Sequence, residues 1–404
     1  DLMLLPIDRL RRFFDGFGAA AAGLAEVAAD TLFDGALKLL LDPRDADALR
    51  RHPLLAQYAA SAPREQQLSD TYYDTPQQEF RENGAGLRVR QSGGQWIQAL
   101  KGGGDSGSGL HRRHEWESVV PGESPDLAAL RKLVGSKGKS GDLLRAPSTA
   151  ESLAPVFRTR VLRTLWDLTL PGGTTVEMAF DQGRLECGDE VAEVSELELE
   201  LKAGDAVALF DFALALQQDI PMQVGAASKA ERGYALNRPA PRQAARAKPV
   251  RLSRMETVEN AFRAIAASCL AQVQANADGV GQGYDEECLH QMRVGLRRFR
   301  SALGVFKSVL QLPPGLPAEL DWLTAELGNA RDWDVLAGAT LPSLADRMPA
   351  GHALVGVTQA ALDTGHEAHA AAAAAVSSQR YSRLMLMLGR WLYGSGWRPQ
   401  AAGQ

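Results

Sequence analysis

The stretch SELELELK at residues 195–202 carries a carboxylate at every second position. In an extended strand alternate side chains point to the same side, so Glu196, Glu198 and Glu200 share one face and three leucines share the other. Carboxylates spaced roughly 6.5–7 Å apart repel each other unless positive charge lies over them. The pattern therefore predicts a strand whose acidic face meets basic side chains, a metal ion or both.

Charged residues alternate in the same way in several other segments. Arg88 and Arg90 share a face in GLRVR, and Glu177 and Asp181 share a face in VEMAFD. One interpretation is the solvated outer face of a β-sandwich. Repetition over many segments, with arginines on some and glutamates on others, favours charged faces that line a barrel interior. Basic side chains there would bind a polyphosphate or a nucleotide triphosphate tail, and carboxylates would bind Mg²⁺ or Mn²⁺.

The elements that position these residues begin with a strand-rich part. The chain has 404 residues, more than one core usually organises, so two domains are expected. From about residue 33 to 236, alternating segments separated by Gly, Pro, Asp or Ser predict an α+β domain with a closed or nearly closed antiparallel barrel. The segments SPDLAALRKLV and DAVALFDFALALQQD have helical spacing, and VGSKGKSGDLLRAPSTA has the composition of a flexible loop.

A helical part follows. Residues 237–254 are rich in Pro, Ala and Arg and are predicted to be a linker, whereas residues 1–32 are helical material of unknown role. From Met255 onward the pattern is all-α and predicts a helical bundle. The expected helices lie near residues 256–278, 285–311 and 317–338, with one or two more up to about 394.

Composition narrows the class of protein. The formal net charge of −5 is mild, so binding to nucleic acid or a membrane through an overall field is not expected. Three widely spaced cysteines, an odd number, argue against a disulfide framework and favour the cytoplasm. No stretch has the pattern of a transmembrane span or a convincing signal peptide.

Eight sequence blocks point to a known family. In chain order they are SDTYYDT, GAGLRVR, WIQALKG, GLHRRHEWE, RTLW, VEMAFDQG, SELELELK and SKAERGYAL. Together they resemble the CYTH triphosphate tunnel enzymes, especially the inorganic triphosphatase type. The resemblance implies an eight-stranded antiparallel tunnel that binds triphosphate with one or two divalent metal ions, Mg²⁺ or Mn²⁺, and lets water attack the terminal phosphorus.

The same resemblance implies roles for individual residues. The implied phosphate contacts are Arg88, Arg90, Lys101, Arg113, Arg163 and Lys229. The implied metal ligands are Asp34, Glu115, Glu177, Asp181, Glu196 and Glu198. The implied catalytic residues are Lys38, Glu196 and Glu198. These residue types suit phosphoryl transfer, which depends mainly on alignment and on neutralising charge.

One motif departs from the family pattern. The first strand of the family reads Glu-x-Glu-x-Lys, whereas this chain has Asp34, Ala36 and Lys38 at those positions. Lys38 fits, Asp34 has a shorter reach than glutamate, and Ala36 has no ligand oxygen. We therefore expect weaker metal binding and reduced or absent activity.

The helical part contains a basic motif in LHQMRVGLRRFRSALGVF, residues 289–306. His290, Arg293, Arg297 and Arg300 fall on one helix face and are called the basic stripe below. The stripe is either a solvated face paired with acids or an anion-binding surface. With ARDWDV, which contains Arg331, the motif resembles the CHAD domain. That resemblance implies polyphosphate binding by these five residues, although only the first half of the family's domain is clear in this chain.

The sequence leaves several functions open. The leading hypothesis is hydrolysis of inorganic triphosphate in the tunnel, with polyphosphate bound by the helical part. A second hypothesis is a tunnel that binds triphosphate or polyphosphate without turnover. A third is an enzyme acting on thiamine triphosphate or forming a cyclic nucleotide. Nucleic-acid binding by the basic stripe is a weaker fourth hypothesis.

Overall fold

The structure is a computed structural model that describes residues 36–102, 115–135, 138–225, 227–237, 243–250, 252, 257–282, 284–347 and 354–394. Asp34, Arg113 and the segment 1–32 lie outside the described residues. Within the described ranges, strands dominate the first part of the chain and long helices the second. This order agrees with the change of sequence pattern near Met255.

The strands form one antiparallel sheet. They are β1 (Ala36–Leu41), β2 (Arg64–Asp74), β3 (Gly86–Ser92), β4 (Gln95–Lys101), β5 (Glu115–Val120), β6 (Ala154–Leu170), β7 (Thr174–Cys187), β8 (Glu190–Ala203) and β9 (Met222–Val224). Their order in the sheet is β5-β4-β3-β2-β6-β7-β8-β1-β9. The SELELELK stretch is therefore part of β8, between β7 and β1.

The predicted eight-stranded closed barrel is wrong in strand number and in closure. The described sheet has nine strands, and within the described part no pairing joins the edge strands β5 and β9. Strand β9 pairs with Leu39, Leu40 and Leu41 and so occupies the edge of β1 through which a barrel would close. A strand of three residues is too short for alternation along the sequence to reveal it.

One face of the sheet is apolar and carries the core. Leu39 and Leu197 lie opposite each other, as do Leu197 and Phe180, and all three are fully buried. Helices cover this face: α1 (Ala46–Arg50), α2 (Pro53–Tyr58), α3 (Glu79–Glu82), α4 (Leu127–Val134), α5 (Gly138–Arg145) and α7 (Ala206–Asp219), with α6 (Pro147–Ser152) beside α5. The predicted helices in SPDLAALRKLV and DAVALFDFALALQQD correspond to α4 and α7. The predicted flexible loop is wrong, because much of it forms α5 and α6.

The remaining helices are α8 (Lys229–Asn237), α9 (Val258–Gly281), α10 (Glu286–Val305), α11 (Leu316–Val335), α12 (Leu341–Ala345), α13 (Leu354–Val376) and α14 (Gln379–Tyr393). Helices α9, α10, α11, α13 and α14 form a bundle around one apolar core, and the described residues after 257 contain no strand. No helix among the described residues combines the length and the apolar character needed to cross a membrane.

Helix α14 connects the bundle to the sheet. Arg390 pairs with Asp211 of α7, and Gly389 packs so closely on Phe210 that a Cβ there would overlap the ring. The Ser382 hydroxyl accepts a hydrogen bond from the N–H of Val224 at 3.1 Å. Helix α14 thus covers the edge strand β9 and ties the two parts together.

Candidate functional site

The sheet register gathers charged residues on one face, opposite the apolar core. Directly opposed residues of an antiparallel pair project to the same side. Lys38 lies opposite Glu198, and Glu196 lies opposite Asp181. Asp181 also lies opposite Arg163 of β6. Charged residues of β1, β6, β7 and β8 therefore share this side, which is called the charged face below.

The charged face continues across the other half of the sheet. Gln66 of β2 lies opposite Arg163, and Asp70, four residues later on β2, projects to the same side. Asp70 lies opposite Arg90, whose alternate neighbour Arg88 shares its face. The register thus agrees with the hypothesis that charged faces of separate strands are turned to a common side.

Glu196 lies at the centre of a group of three acids and the cations around them, which is called the acidic cluster below. Its side chain is fully buried, with 0% exposed. One carboxylate oxygen accepts a hydrogen bond from the ammonium of Lys229 and lies 3.3 Å from Lys38 Nζ. The other oxygen lies 3.3 Å from Arg232 Nη1. Three cations from β1 and α8 therefore meet on one carboxylate, which compensates the cost of burying its charge.

Asp181 is the second buried acid of this cluster. Arg163 donates two hydrogen bonds to it, Nε to Oδ1 at 2.7 Å and Nη2 to Oδ2 at 2.6 Å, and Lys229 Nζ lies 2.6 Å from Oδ2. Burial alone would raise the pKa of Asp181, but these hydrogen bonds and the charges of Arg163 and Lys229 outweigh it and lower the pKa to about 2. The carboxylate is therefore ionised at neutral pH.

Glu198 is the most accessible acid of the cluster, with 30% of its side chain exposed. Burial would raise its pKa, but the charges of Lys229, Lys38 and Arg163 lower it. Burial would likewise lower the pKa of Lys229, and the charges of Asp181, Glu198 and Glu196 raise it instead. The acidic cluster consists of Lys38, Arg163, Asp181, Glu196, Glu198, Lys229 and Arg232.

A second group, the arginine cluster, consists of Asp70, Arg88, Arg90, Lys101 and Glu115. Arg90 donates to both oxygens of buried Asp70, at 2.7 and 2.8 Å, and Arg88 Nη1 donates to Asp70 Oδ2 at 3.4 Å. Glu115 pairs with Arg88 at 3.2 Å and with Lys101 at 3.1 Å. Asp70 thus fixes two guanidinium groups on the charged face.

Helix α8 lies against part of the charged face. It carries Lys229 and Arg232, and Gly233 packs on the ring of Phe157, where a Cβ would overlap the ring. The Tyr234 hydroxyl donates to Asp74 Oδ2 at 2.8 Å, and Asp74 also accepts N–H groups of residues 75, 80 and 81. This buried anchor fixes the helix that supplies two cations to the acidic cluster.

Some predicted residues lie apart from the acidic cluster. Glu177 lies opposite Glu200, and Lys202 Nζ lies between their carboxylates, at 3.4 and 2.9 Å. Ala36 also lies opposite Glu200. Glu115 belongs to the arginine cluster, whereas Asp34 and Arg113 are outside the described residues. Of the implied metal ligands, the structure brings together Asp181, Glu196 and Glu198.

Sequence reasoning missed Asp70 and Arg232. Asp70 is two residues before Tyr72 in SDTYYDT, so strand alternation could have placed it on the face of the neighbouring arginines. Arg232 is three residues after Lys229, and helical spacing would have put both on one side of α8. Both signals are visible only once the partner elements are known.

The acidic cluster offers carboxylate oxygens that could bind a divalent metal ion. Carboxylate oxygens are the ligands that Mg²⁺ and Mn²⁺ prefer, so the chemistry of the acidic cluster fits such an ion. In the described residues, however, no three Asp, Glu, His or Cys side chains converge as metal ligands. The carboxylate oxygens are directed at lysines and arginines, with which a metal ion would compete.

The basic stripe lies on α10 beside α11. Arg300 pairs with Asp321 at 2.6 Å, and Arg293 lies 3.8 Å from Asp332. Arg331 pairs with Glu286. Among the described residues, Arg297 and His290 have no ion-pair partner on another element. The stripe is therefore partly neutralised by α11 and partly open.

In comparisons with known proteins, each of the two parts of the chain matches a domain family. Residues 36–234 match the profile of the CYTH domain, and residues 264–404 match the profile of the CHAD domain. An inorganic triphosphatase of Haemophilus influenzae is 34% identical over 201 residues, which are 50% of this chain and 54% of that protein. The chain spans about half the length of this relative.

Solved structures also resemble parts of the chain. The CHAD domain from the plant Ricinus communis is 43% identical, with a TM-score of 0.35, over 37% of this chain and 50% of that chain. A putative adenylyl cyclase from Hippeastrum, described with a dominant triphosphatase activity, is 16% identical with a TM-score of 0.35. That match covers 50% of this chain and 94% of that chain.

Proposed function

Because this chain joins a CYTH domain to a CHAD domain, we propose that the charged face binds inorganic triphosphate and hydrolyses its terminal phosphoanhydride bond. The observation that carries the proposal is the gathering of cations from β1, β3, β6 and α8 on one face of the sheet. Phosphate oxygens are the ligands that such lysines and arginines bind, guanidinium groups with two hydrogen bonds each.

The acids between these cations hold them in place before substrate arrives. Asp181 orients Arg163, and Asp70 orients Arg90, each through two hydrogen bonds. Phosphoryl transfer gains mostly from donors fixed where charge develops, because they need not reorganise during the reaction. In the proposal Lys38, Arg163 and Lys229 contact one end of the triphosphate. Arg88, Arg90 and Lys101 contact the other end.

Mg²⁺ or Mn²⁺ is part of the proposal. Asp181, Glu196 and Glu198 would hold the ion once phosphate oxygens compete for the lysines and arginines that these carboxylates now face. When bound, such an ion supplies charge neutralisation on the phosphoryl oxygens and lowers the pKa of water. The carboxylates keep the lysines and arginines of the charged face in position, and these cations align the triphosphate.

A second candidate function is binding without turnover. It is favoured by the alanine at position 36, which offers no ligand opposite Glu200, and by the pairing of each cluster carboxylate with protein cations. In this case the charged face would hold triphosphate or the end of a polyphosphate chain. For the helical part, we propose polyphosphate binding by the basic stripe and Arg331.

Phosphate release from the full chain tests these functions. Inorganic triphosphate, ATP and thiamine triphosphate are each supplied with Mg²⁺, with Mn²⁺ or with a chelator. The proposal predicts release from inorganic triphosphate above that from the organic triphosphates, and none in chelator. Lys229→Ala, which removes the cation shared by all three cluster acids, is the inactive control. If no phosphate is released from any of the three substrates while polyphosphate is still bound, hydrolysis is refuted and binding without turnover is the remaining function.

A further inference from the structure

Residues 243–250 connect the two parts of the chain and lie against the helical bundle. The segment reads QAARAKPV and has neither helical nor strand hydrogen bonding. Ala244 and Val250 are half-buried and pack on the core of the bundle. A segment whose composition predicts a free linker is therefore docked on the bundle near both of its ends, with residues 246–249 exposed between them.

A buried asparagine holds this segment by its backbone. Asn276 of α9 is completely buried, and its side-chain oxygen accepts the N–H of Ala245 at 2.9 Å. Its amide nitrogen donates to the carbonyl of Ala245, also at 2.9 Å. One side chain thus satisfies both polar groups of one peptide residue, as a neighbouring strand would. This contact is called the Asn276 clamp below.

A chain of amide groups connects the Asn276 clamp to α10. Asn276 donates to the carbonyl of Gln272 at 2.7 Å, and the Gln272 amide donates to Gln291 at 3.0 Å. The Gln291 amide donates to Glu287 at 3.0 Å, and Glu287 lies 3.5 Å from Arg246 of the docked segment. Buried groups connected in this way specify one arrangement, because each would lose its partner in another.

The docked segment brings positive charge to the flank of the basic stripe. It contains Arg246 and Lys248 and no acid. Both side chains are exposed, that of Arg246 to 78%. Glu287, the partner of Arg246, is three residues before His290 on α10, so Arg246 lies about one helical turn from the start of the stripe. Because the backbone is clamped, binding an anion would order these two side chains without the further cost of ordering the backbone near them.

We propose that residues 243–250 form one wall of the polyphosphate-binding surface, where Arg246 and Lys248 contact the same polyanion as the basic stripe. The inference rests on the proposed binding of polyphosphate by the helical part. It adds a second row of cations on the side of α10 away from the acids of α11. The fitting ligand is a linear inorganic polyphosphate long enough to contact both rows.

Binding of long-chain polyphosphate and of triphosphate to the full chain tests this surface. In R246Q/K248Q, the Kd for long-chain polyphosphate should rise about 3- to 10-fold, as for the loss of two exposed ion contacts. The dependence of Kd on salt should become shallower, because fewer counterions are released. Triphosphate affinity should stay as in wild type, since the charged face is untouched.

A matched control separates this effect from net charge. Arg51 is as exposed as Arg246 and is likewise paired with an acid, Asp47, and Lys132 is an exposed lysine like Lys248. R51Q/K132Q removes the same charge from the sheet part of the chain and should bind polyphosphate like wild type. A second comparison, R293Q/R297Q, removes two arginines of the basic stripe.

The outcomes distinguish the inference from the proposed function. Loss of affinity in R293Q/R297Q with wild-type affinity in R246Q/K248Q would overturn the role of the docked segment and keep the stripe. Wild-type affinity in both R246Q/K248Q and R293Q/R297Q would overturn the inference and also the proposed binding of polyphosphate by the basic stripe. A loss of affinity in R51Q/K132Q equal to that in the other two variants would do the same. Asn276→Ala adds an independent test: trypsin should cut after Arg246 faster than in wild type, and polyphosphate affinity should fall. Unchanged cleavage in folded protein would overturn the clamp.

Discussion

Replacing Asp181 by asparagine tests whether ion pairs hold the acidic cluster together. The Asp181 side chain is 1% exposed and is shared by Arg163 and Lys229. Asparagine has nearly the same shape and keeps one acceptor oxygen, but it removes the negative charge. Arg163 and Lys229 would then lose the nearest counter-ion that they share and keep Glu198, at 3.2 and 3.4 Å, as a common partner.

The expected loss of folding stability follows from the pKa of Asp181. A pKa lowered from 3.8 to about 2 corresponds to about 2.5 kcal/mol of folding free energy at neutral pH. Because the pKa is depressed in the folded state, this stability is present above pH 3.8 and is lost as the pH falls through 2. Removing one partner of a buried pair costs about 3–5 kcal/mol. We therefore expect Asp181→Asn to lose about 2–4 kcal/mol at pH 7, and less as the pH approaches 2.

Urea unfolding at pH 7 and pH 3 measures this loss, with Asp167→Asn as control. Asp167 is on strand β6 and pairs with Arg64 at 2.9 Å, but both side chains are about half exposed, so its loss should cost under about 1 kcal/mol. Triphosphate should raise the urea midpoint of Asp181→Asn more than that of wild type, because it supplies the missing negative charge. Equal midpoints for Asp181→Asn and wild type at pH 7 would refute the reasoning.

Three further substitutions test the site. Arg163→Lys loses the two-hydrogen-bond contact with Asp181 and should raise KM for triphosphate by about tenfold, measured by phosphate release, whereas an unchanged KM would remove Arg163 from the binding surface. Ala36→Glu restores a carboxylate opposite Glu200 and should lower the Mn²⁺ concentration needed for half-maximal activity; no change would show that position 36 does not contribute to metal binding. Tyr234→Phe leaves Asp74 without one donor and should cost about 1–3 kcal/mol of stability in urea unfolding. It should also weaken triphosphate binding through the loosened α8, and wild-type affinity at reduced stability would limit Tyr234 to a structural role.

The charged face was predictable because alternation is local information. Each strand shows its own acidic or basic side in the sequence, as in GLRVR and SELELELK, without knowledge of its neighbours. The pairing of strands is not local, so the sequence could not show that Asp70 neutralises Arg90 or that Arg232 reaches Glu196. These contacts join residues 20 and 36 positions apart.

The errors have identifiable physical causes. Residues 134–150 have a loop-like composition, but Leu144 is fully buried in the core below the sheet, and Arg131 donates to its carbonyl. Tertiary contacts therefore override weak local propensity there. The docking of residues 243–250 on the bundle was likewise not visible in the sequence, because it depends on Asn276 of α9. The prediction of a closed barrel was wrong because strand β9, which is short and was not predicted, pairs with the free edge of β1.

The acidic cluster also bears on why such charges are retained. Buried ion pairs rarely improve stability over apolar residues of similar volume, because desolvation offsets their attraction. Here four cations from three elements meet three carboxylates, so the described cluster has an excess of positive charge. A triphosphate that binds the cations would release carboxylates from their partners, and a divalent cation that binds the carboxylates would release lysines and arginines. Each ligand therefore lowers the cost of binding the other, and the coupling must be equal in both directions. A face of mutually paired charges is suited to hold an anion and a metal ion together better than either alone.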